Sequence, residues 1–151
     1  MSSATAWVMH LDHQMSGAVG QLELIHIVDN PVFYKIPKAP AYCAHVILWN
    51  NRIIPVMDLS AWLNDSTVVY RRSLVAIAVY RNQNNELKYG GIHLSDTPAM
   101  ESVNNEQACA LPITSNKWKK ISISCFRSSD NNPVPILDVP TIFSTALVES
   151  V

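Results

Sequence analysis

The sequence predicts an all-β domain with short helices, built as two similar small β-barrels packed side by side. Three observations carry this. Short runs of β-branched and aromatic residues recur along the chain, while a helical apolar period is weak almost everywhere. Nine prolines against four glycines point to many short elements joined by fixed turns rather than to a few long helices. Third, Ile54-Pro-Val-Met-Asp-Leu-Ser-Ala-Trp-Leu63 aligns without gaps on Val134-Pro-Ile-Leu-Asp-Val-Pro-Thr-Ile-Phe143. Both read apolar, Pro, apolar, apolar, Asp, apolar, two variable positions, apolar, apolar.

In chain order, the strand candidates are Trp7–Leu11, Val19–Leu24, Val32–Ile36, Val46–Trp49, Ile53–Met57, Leu74–Tyr80, Leu87–Leu94, Ile121–Phe126 and Val134–Leu137. Asn50-Asn51 separates the fourth from the fifth. Asparagine tolerates positive φ, so this pair reads as a tight hairpin turn. Leu74–Tyr80 is continuously apolar, as a strand covered on both faces should be. The polar stretch Arg81–Glu86 then links an antiparallel pair, and Gly90-Gly91 inside the next run marks a bulge or a close backbone approach. Ile121-Ser-Ile-Ser alternates, which suits a strand with one face buried.

The repeated segment reads as a strand that ends at an aspartate, Asp58 or Asp138, whose carboxylate caps a short helix. Pro140 fits the first turn of the second helix, where a missing N–H costs nothing. By length, 151 residues make one domain. The repeat divides it into subdomain 1, about 18–73, and subdomain 2, about 74–137, with segments 1–17 and 138–151 completing the barrels. Each half alone lies near the lower size limit for a stable core, so the two should bury strand faces against each other.

Composition excludes several classes. At 48% hydrophobic and 15% charged, the chain is too apolar for disorder and too weakly charged for a coiled coil. A net charge of -1 leaves no basic surplus for a general grip on nucleic acid or on an acidic membrane. Cys43, Cys109 and Cys125 are an odd number with no close pair, so no disulfide framework is implied and each reads as a small buried hydrophobe. Met1–His13 lacks the basic start of a signal peptide. The longest apolar run, Ala41–Trp49, falls short of the roughly 20 residues that span a bilayer. A cytoplasmic protein without direct membrane insertion is expected.

Four segments together resemble the CheW-like domain family: Val19-Gly-Gln-Leu-Glu-Leu-Ile-His-Ile-Val28, Ile36-Pro-Lys-Ala-Pro40, Val46–Leu59 ending in Ile-Ile-Pro-Val-Met-Asp-Leu, and Tyr89-Gly-Gly-Ile-His-Leu94. The resemblance covers roughly residues 5–148. It implies two five-stranded barrels side by side. It also implies a non-catalytic scaffold that couples a chemoreceptor's cytoplasmic tip to the regulatory domain of a CheA-type histidine kinase. One departure stands out. Where members often carry Asn-Leu-Arg-Gly, this chain has Leu48-Trp49-Asn50-Asn51, with Asn50 at the arginine position. Asparagine cannot make arginine's bidentate, charge-assisted contact. A divergent adaptor, in a system for pili or surface behaviour, is therefore an expectation beside an ordinary receptor adaptor.

No catalytic constellation assembles. His10 and His13 have opposite strand parity and lack a third ligand. Cys43 and His45 lack an orienting partner, and His26 and His93 read as packed or edge residues. Neither a metal nor a cofactor is expected. Lys117-Trp-Lys-Lys120 is the one basic, aromatic cluster, and it supports the alternative of a double-barrel module for another ligand, such as single-stranded nucleic acid. Aromatics and arginine are favoured at interface centres, so Trp49, Asn50, Arg52 and Tyr42 are the partner-binding candidates. Trp62 reads as core.

Overall fold

A computed structural model of the chain describes residues 3–64 and 73–144. Residues 1–2 and 145–151 of the expected terminal segments, and 65–72 before the expected subdomain boundary, lie outside the described residues. The strands are β1 Ser3–His10, β2 Ser16–Gly20, β3 Leu24–Asp29, β4 Tyr34–Lys35, β5 His45–Trp49, β6 Arg52–Met57, β7 Leu74–Arg81, β8 Leu87–Leu94, β9 Ala99–Asn104, β10 Ser122–Arg127 and β11 Pro133–Leu137. The helices are short: α1 Leu59–Asn64, α2 Trp118–Ile121 and α3 Val139–Ile142, with 3-10 turns at Ala41–Cys43 and Asn105–Gln107.

Two curled sheets result. The first runs β10-β11-β2-β1-β9, and the second β3-β7-β8-β6-β5-β4. With the two-residue β4 set aside, both repeat one pattern. A hairpin (β5–β6 or β10–β11) lies parallel to a neighbour (β8 or β2), which pairs antiparallel with a third strand and that with a fourth. The first sheet curls until Ala108 bridges Phe126 of β10, bringing the chain after β9 against the far edge.

Each sheet draws on both halves of the chain. β7 and β8 join β3–β6, whereas β1 and β2 join β9–β11. The expected boundary at 73/74 therefore does not coincide with the division between the sheets. The reason is the parallel neighbour: a strand parallel to a hairpin's second strand cannot come from a tight turn and must arrive by a crossover. The β7–β8 hairpin supplies it to the second sheet, and the N-terminal β1–β2 hairpin supplies it to the first.

The expected strand Val19–Leu24 is split. Gly20 N–H donates to Glu23 Oε1 at 2.8 Å and Glu23 N–H to the Gly20 carbonyl at 3.0 Å, turning the chain from one sheet to the other. Val32–Ile36 contracts to Tyr34–Lys35, and Ile121 closes α2 instead of opening a strand. The strand β9 has no counterpart among the expected ones.

Three apolar clusters hold the fold. Ala6, Val8, Ala18, Phe126 and Val134 fill the first barrel, and Ile47, Ile54, Val56, Val75 and Ile77 the second. The largest joins the two sheets and the helices, with Met9, Val19, Met57, Trp62, Ala76 and Leu137 among its members. On β7, Val75 and Ile77 face the second barrel's interior while Ala76 and Ala78 face the shared core, so this strand is covered on both faces.

Candidate functional site: the β5–β6 hairpin

Asn50 and Asn51 have φ of 49° and 59°, so both central residues of the turn are left-handed, the geometry that matches the twist of two antiparallel strands. This turn sets Trp49 opposite Arg52, Leu48 opposite Ile53 and Ile47 opposite Ile54. The alternation then sorts the side chains. Ile47 and Ile54 are buried in the second barrel, and Trp49 and Arg52 share their face at the barrel's open end. There the Trp49 ring lies 5.7 Å from His26 and 6.0 Å from Tyr89, while the Arg52 guanidinium sits 4.5 Å from the centre of the Tyr89 ring. Trp49 is half-buried, and Asn50, Asn51 and Arg52 are exposed.

The other face points outward and is apolar. Leu48 is 61% exposed and Ile53 70%, paired side by side across the hairpin. Tyr34, half-exposed on β4, pairs with Val46 and extends the strip. The structure thus brings Trp49, Asn50 and Arg52 together and leaves Tyr42 apart. Tyr42 lies in the 3-10 turn at the opposite end of β5, half-buried against the shared core, and its carbonyl accepts the Asp58 N–H at 2.8 Å. Leu48, Ile53 and Tyr89 are not among the partner-binding candidates of the sequence, and His26 reads there only as a packed or edge residue. The parity of Ile54 and Val56 was the available signal for Ile53: if those face inward, Ile53 must face out.

A model of the CheW-like domain matches residues 9–147. This chain belongs to the CheW-like domain family. Its fold is similar to the crystal structure of the scaffolding protein TtCheW from Thermoanaerobacter tengcongensis, with a TM-score of 0.74 over 95% of this chain and 94% of that one. The two sequences share 14% identity, so the likeness is one of fold. No curated protein is similar enough in sequence to match. Against the CheW-like pattern, the turn residues Asn50 and Asn51 are the departure noted above, and both are exposed at the hairpin tip.

The remaining candidates take structural places in the CheW-like frame. Asp58 Oδ1 accepts the Ala61 N–H at 3.1 Å, and Asp138 Oδ1 accepts the Thr141 N–H at 3.4 Å. His93, 8% exposed, has its pKa pushed down by burial; the Asp58 charge opposes this and His45 adds to it. His10 and His13 line a cavity of about 390 Å³ with Trp118 and Asp130. No group of three or more His, Cys, Asp or Glu able to hold a metal ion occurs among the described residues. No helix among them is long and apolar enough to cross a membrane.

The basic aromatic cluster is corrected by the structure. Trp118 is 1% exposed inside the shared core, so it offers no face for a base to stack on. Lys117 Nζ donates to the Trp62 carbonyl at 2.7 Å and lies 5.2 Å from that ring's centre. Lys119 and Lys120 are exposed, and Lys117 is half-buried. The single-stranded nucleic-acid reading loses its stacking platform.

Proposed function

We propose that this CheW-like chain is a non-catalytic cytoplasmic adaptor that couples the cytoplasmic tip of a methyl-accepting chemoreceptor to the regulatory domain of a CheA-type histidine kinase. The β5–β6 hairpin carries the reading within the family. A rigid two-residue turn presents two bare aliphatic side chains, Leu48 and Ile53, beside an exposed arginine braced on Tyr89. Apolar surface next to an oriented cation suits a protein partner, because covering it removes apolar area from water and leaves the rim charge to set register. Trp49 and Arg52 are the docking residues of this reading, Asn50 tunes partner choice, and Tyr42 serves the core beneath.

The absence of arginine at position 50 supports a divergent receptor partner, in a pathway for pili or surface behaviour. Binding titrations with a CheA-type regulatory domain and with receptor-tip fragments test the reading. Saturable binding to either, weakened by Arg52→Ala in a protein that keeps its native spectrum, is expected. Failure to bind any such domain, or unchanged affinity in an Arg52→Ala, Leu48→Asp double variant, would overturn it.

A further inference from the structure

Cys109 and Cys125 lie 16 residues apart in sequence, and the fold sets them against each other. The isolated antiparallel bridge between Ala108 and Phe126 sets the register that brings Cys109 opposite Cys125. Cys109 N–H donates to the Cys125 carbonyl at 3.1 Å, and the Cys109 thiol donates to the Cys125 sulfur at 3.4 Å. Directly opposed residues of antiparallel chains have Cα atoms roughly 4.5–5.5 Å apart, inside the range a disulfide spans. The sulfurs need only approach by about 1.4 Å to reach bonding distance, a movement that rotation of the two side chains provides.

The place is also a weak one. This contact closes the first barrel, and an isolated bridge with its Cys109 hydrogen bond, one from Gln107 Nε2 to the Arg127 carbonyl at 3.1 Å and one from the Ser129 N–H to Glu101 Oε1 at 3.1 Å stand where full strand ladders do elsewhere. Cys43 is the contrast. It sits in the 3-10 turn before β5, packed against the shared core, with no sulfur partner.

We propose that Cys109 and Cys125 form a modification site, a dithiol that a low-molecular-weight disulfide oxidises to an intrachain disulfide locking the seam of the first barrel. Cys109, the less buried of the two, is the sulfur that the oxidant reaches; Cys125 is buried, and desolvation with the neighbouring thiol pushes its pKa up to about 12. The Cys109 thiolate attacks the oxidant's disulfide, releasing one small thiol and leaving a mixed disulfide. The Cys125 sulfur then attacks the Cys109 sulfur, its proton goes to water, and the second small thiolate leaves and is protonated. One protein dithiol and one small disulfide thus become one protein disulfide and two small thiols.

The test is a redox titration of the purified chain in glutathione buffers, read by alkylation, peptide mapping and thermal melting. Oxidation should lower the alkylatable thiols from three to one, leaving Cys43, with a single cross-linked peptide pair holding Cys109 and Cys125. It should also raise Tm by roughly 6–12 °C, reversibly with dithiothreitol. Cys109→Ser should abolish the rise; Cys125→Ala, which leaves no hydroxyl in the core, should do the same should the first variant fold poorly. Three free thiols throughout, a cross-link through Cys43, or dimers through Cys109 would overturn the site. An intrachain disulfide without a Tm rise would overturn the locking of the seam.

Discussion

Asp58 and Asp138 occupy the same position in two structural copies eighty residues apart. Each carboxylate accepts the N–H three residues on, and each backbone carbonyl accepts the N–H four residues on, from Trp62 and from Ile142, at 3.1 Å in both. Each backbone N–H in turn donates to the preceding helical turn, Asp58 to Tyr42 at 2.8 Å and Asp138 to Ile121 at 2.7 Å. The duplication extends beyond the ten aligned residues to the turn before each hairpin.

Asp58→Ala and Asp138→Ala should each destabilise the fold by ~0.5–2 kcal/mol in urea denaturation. Asparagine caps as well as aspartate does, so Asp138→Asn is expected to recover most of the loss. Equal losses for Ala and Asn would show that the charge, not the cap, matters.

Gly90 faces the ring of Phe143. A Cβ there would lie 2.4 Å from Phe143 Cζ, and that ring is stacked on Tyr80 at 5.5 Å between centres. Gly90→Ala should therefore cost ~1–3 kcal/mol through displacement of the ring. Phe143→Leu, by freeing the space, should make a second Gly90→Ala substitution cheaper than in the native chain. Strict additivity of the two would contradict the contact.

Acid should weaken the second barrel through His93. Its folded pKa lies below the ordinary 6.5, so unfolding takes up a proton as pH falls below that value. Stability is then fully present above about pH 7 and declines as pH falls through and below 6.5. His93→Gln should flatten this part of the Tm profile. Asp58→Asn keeps the helix cap but removes the charge that holds the His93 pKa up, and should deepen the acid loss.

Trp49 braces His26 and Tyr89, so Trp49→Ala should lower Tm as well as docking affinity. Arg52→Ala is the cleaner probe, with an expected docking loss of ~1–3 kcal/mol to kinase or receptor and little change in Tm. Asn50→Arg restores the residue common in the family at the cost of placing it at a φ of 49°, about 1–2 kcal/mol. Gain of binding to an ordinary receptor tip would assign partner choice to this position; calorimetry with the native chain beside it decides.

Local chemistry made much of this protein legible in its sequence. The Asn50-Asn51 turn depends on two residues that tolerate positive φ, the strand–Asp–helix repeat on a carboxylate three residues from the N–H it accepts, and the two-sided burial of β7 on an unbroken apolar run. Each is settled within a few residues. Which strands become neighbours is not, because backbone ladders are written in N–H and C=O groups that every residue shares. Ala99-Met-Glu-Ser-Val-Asn104 has little strand character of its own and becomes β9 because the edge of β1 supplies its hydrogen bonds. The burial of Trp118 and the meeting of Cys109 with Cys125 follow from the same cause. Tertiary structure alone decided them, since each depends on register between segments that lie far apart along the chain.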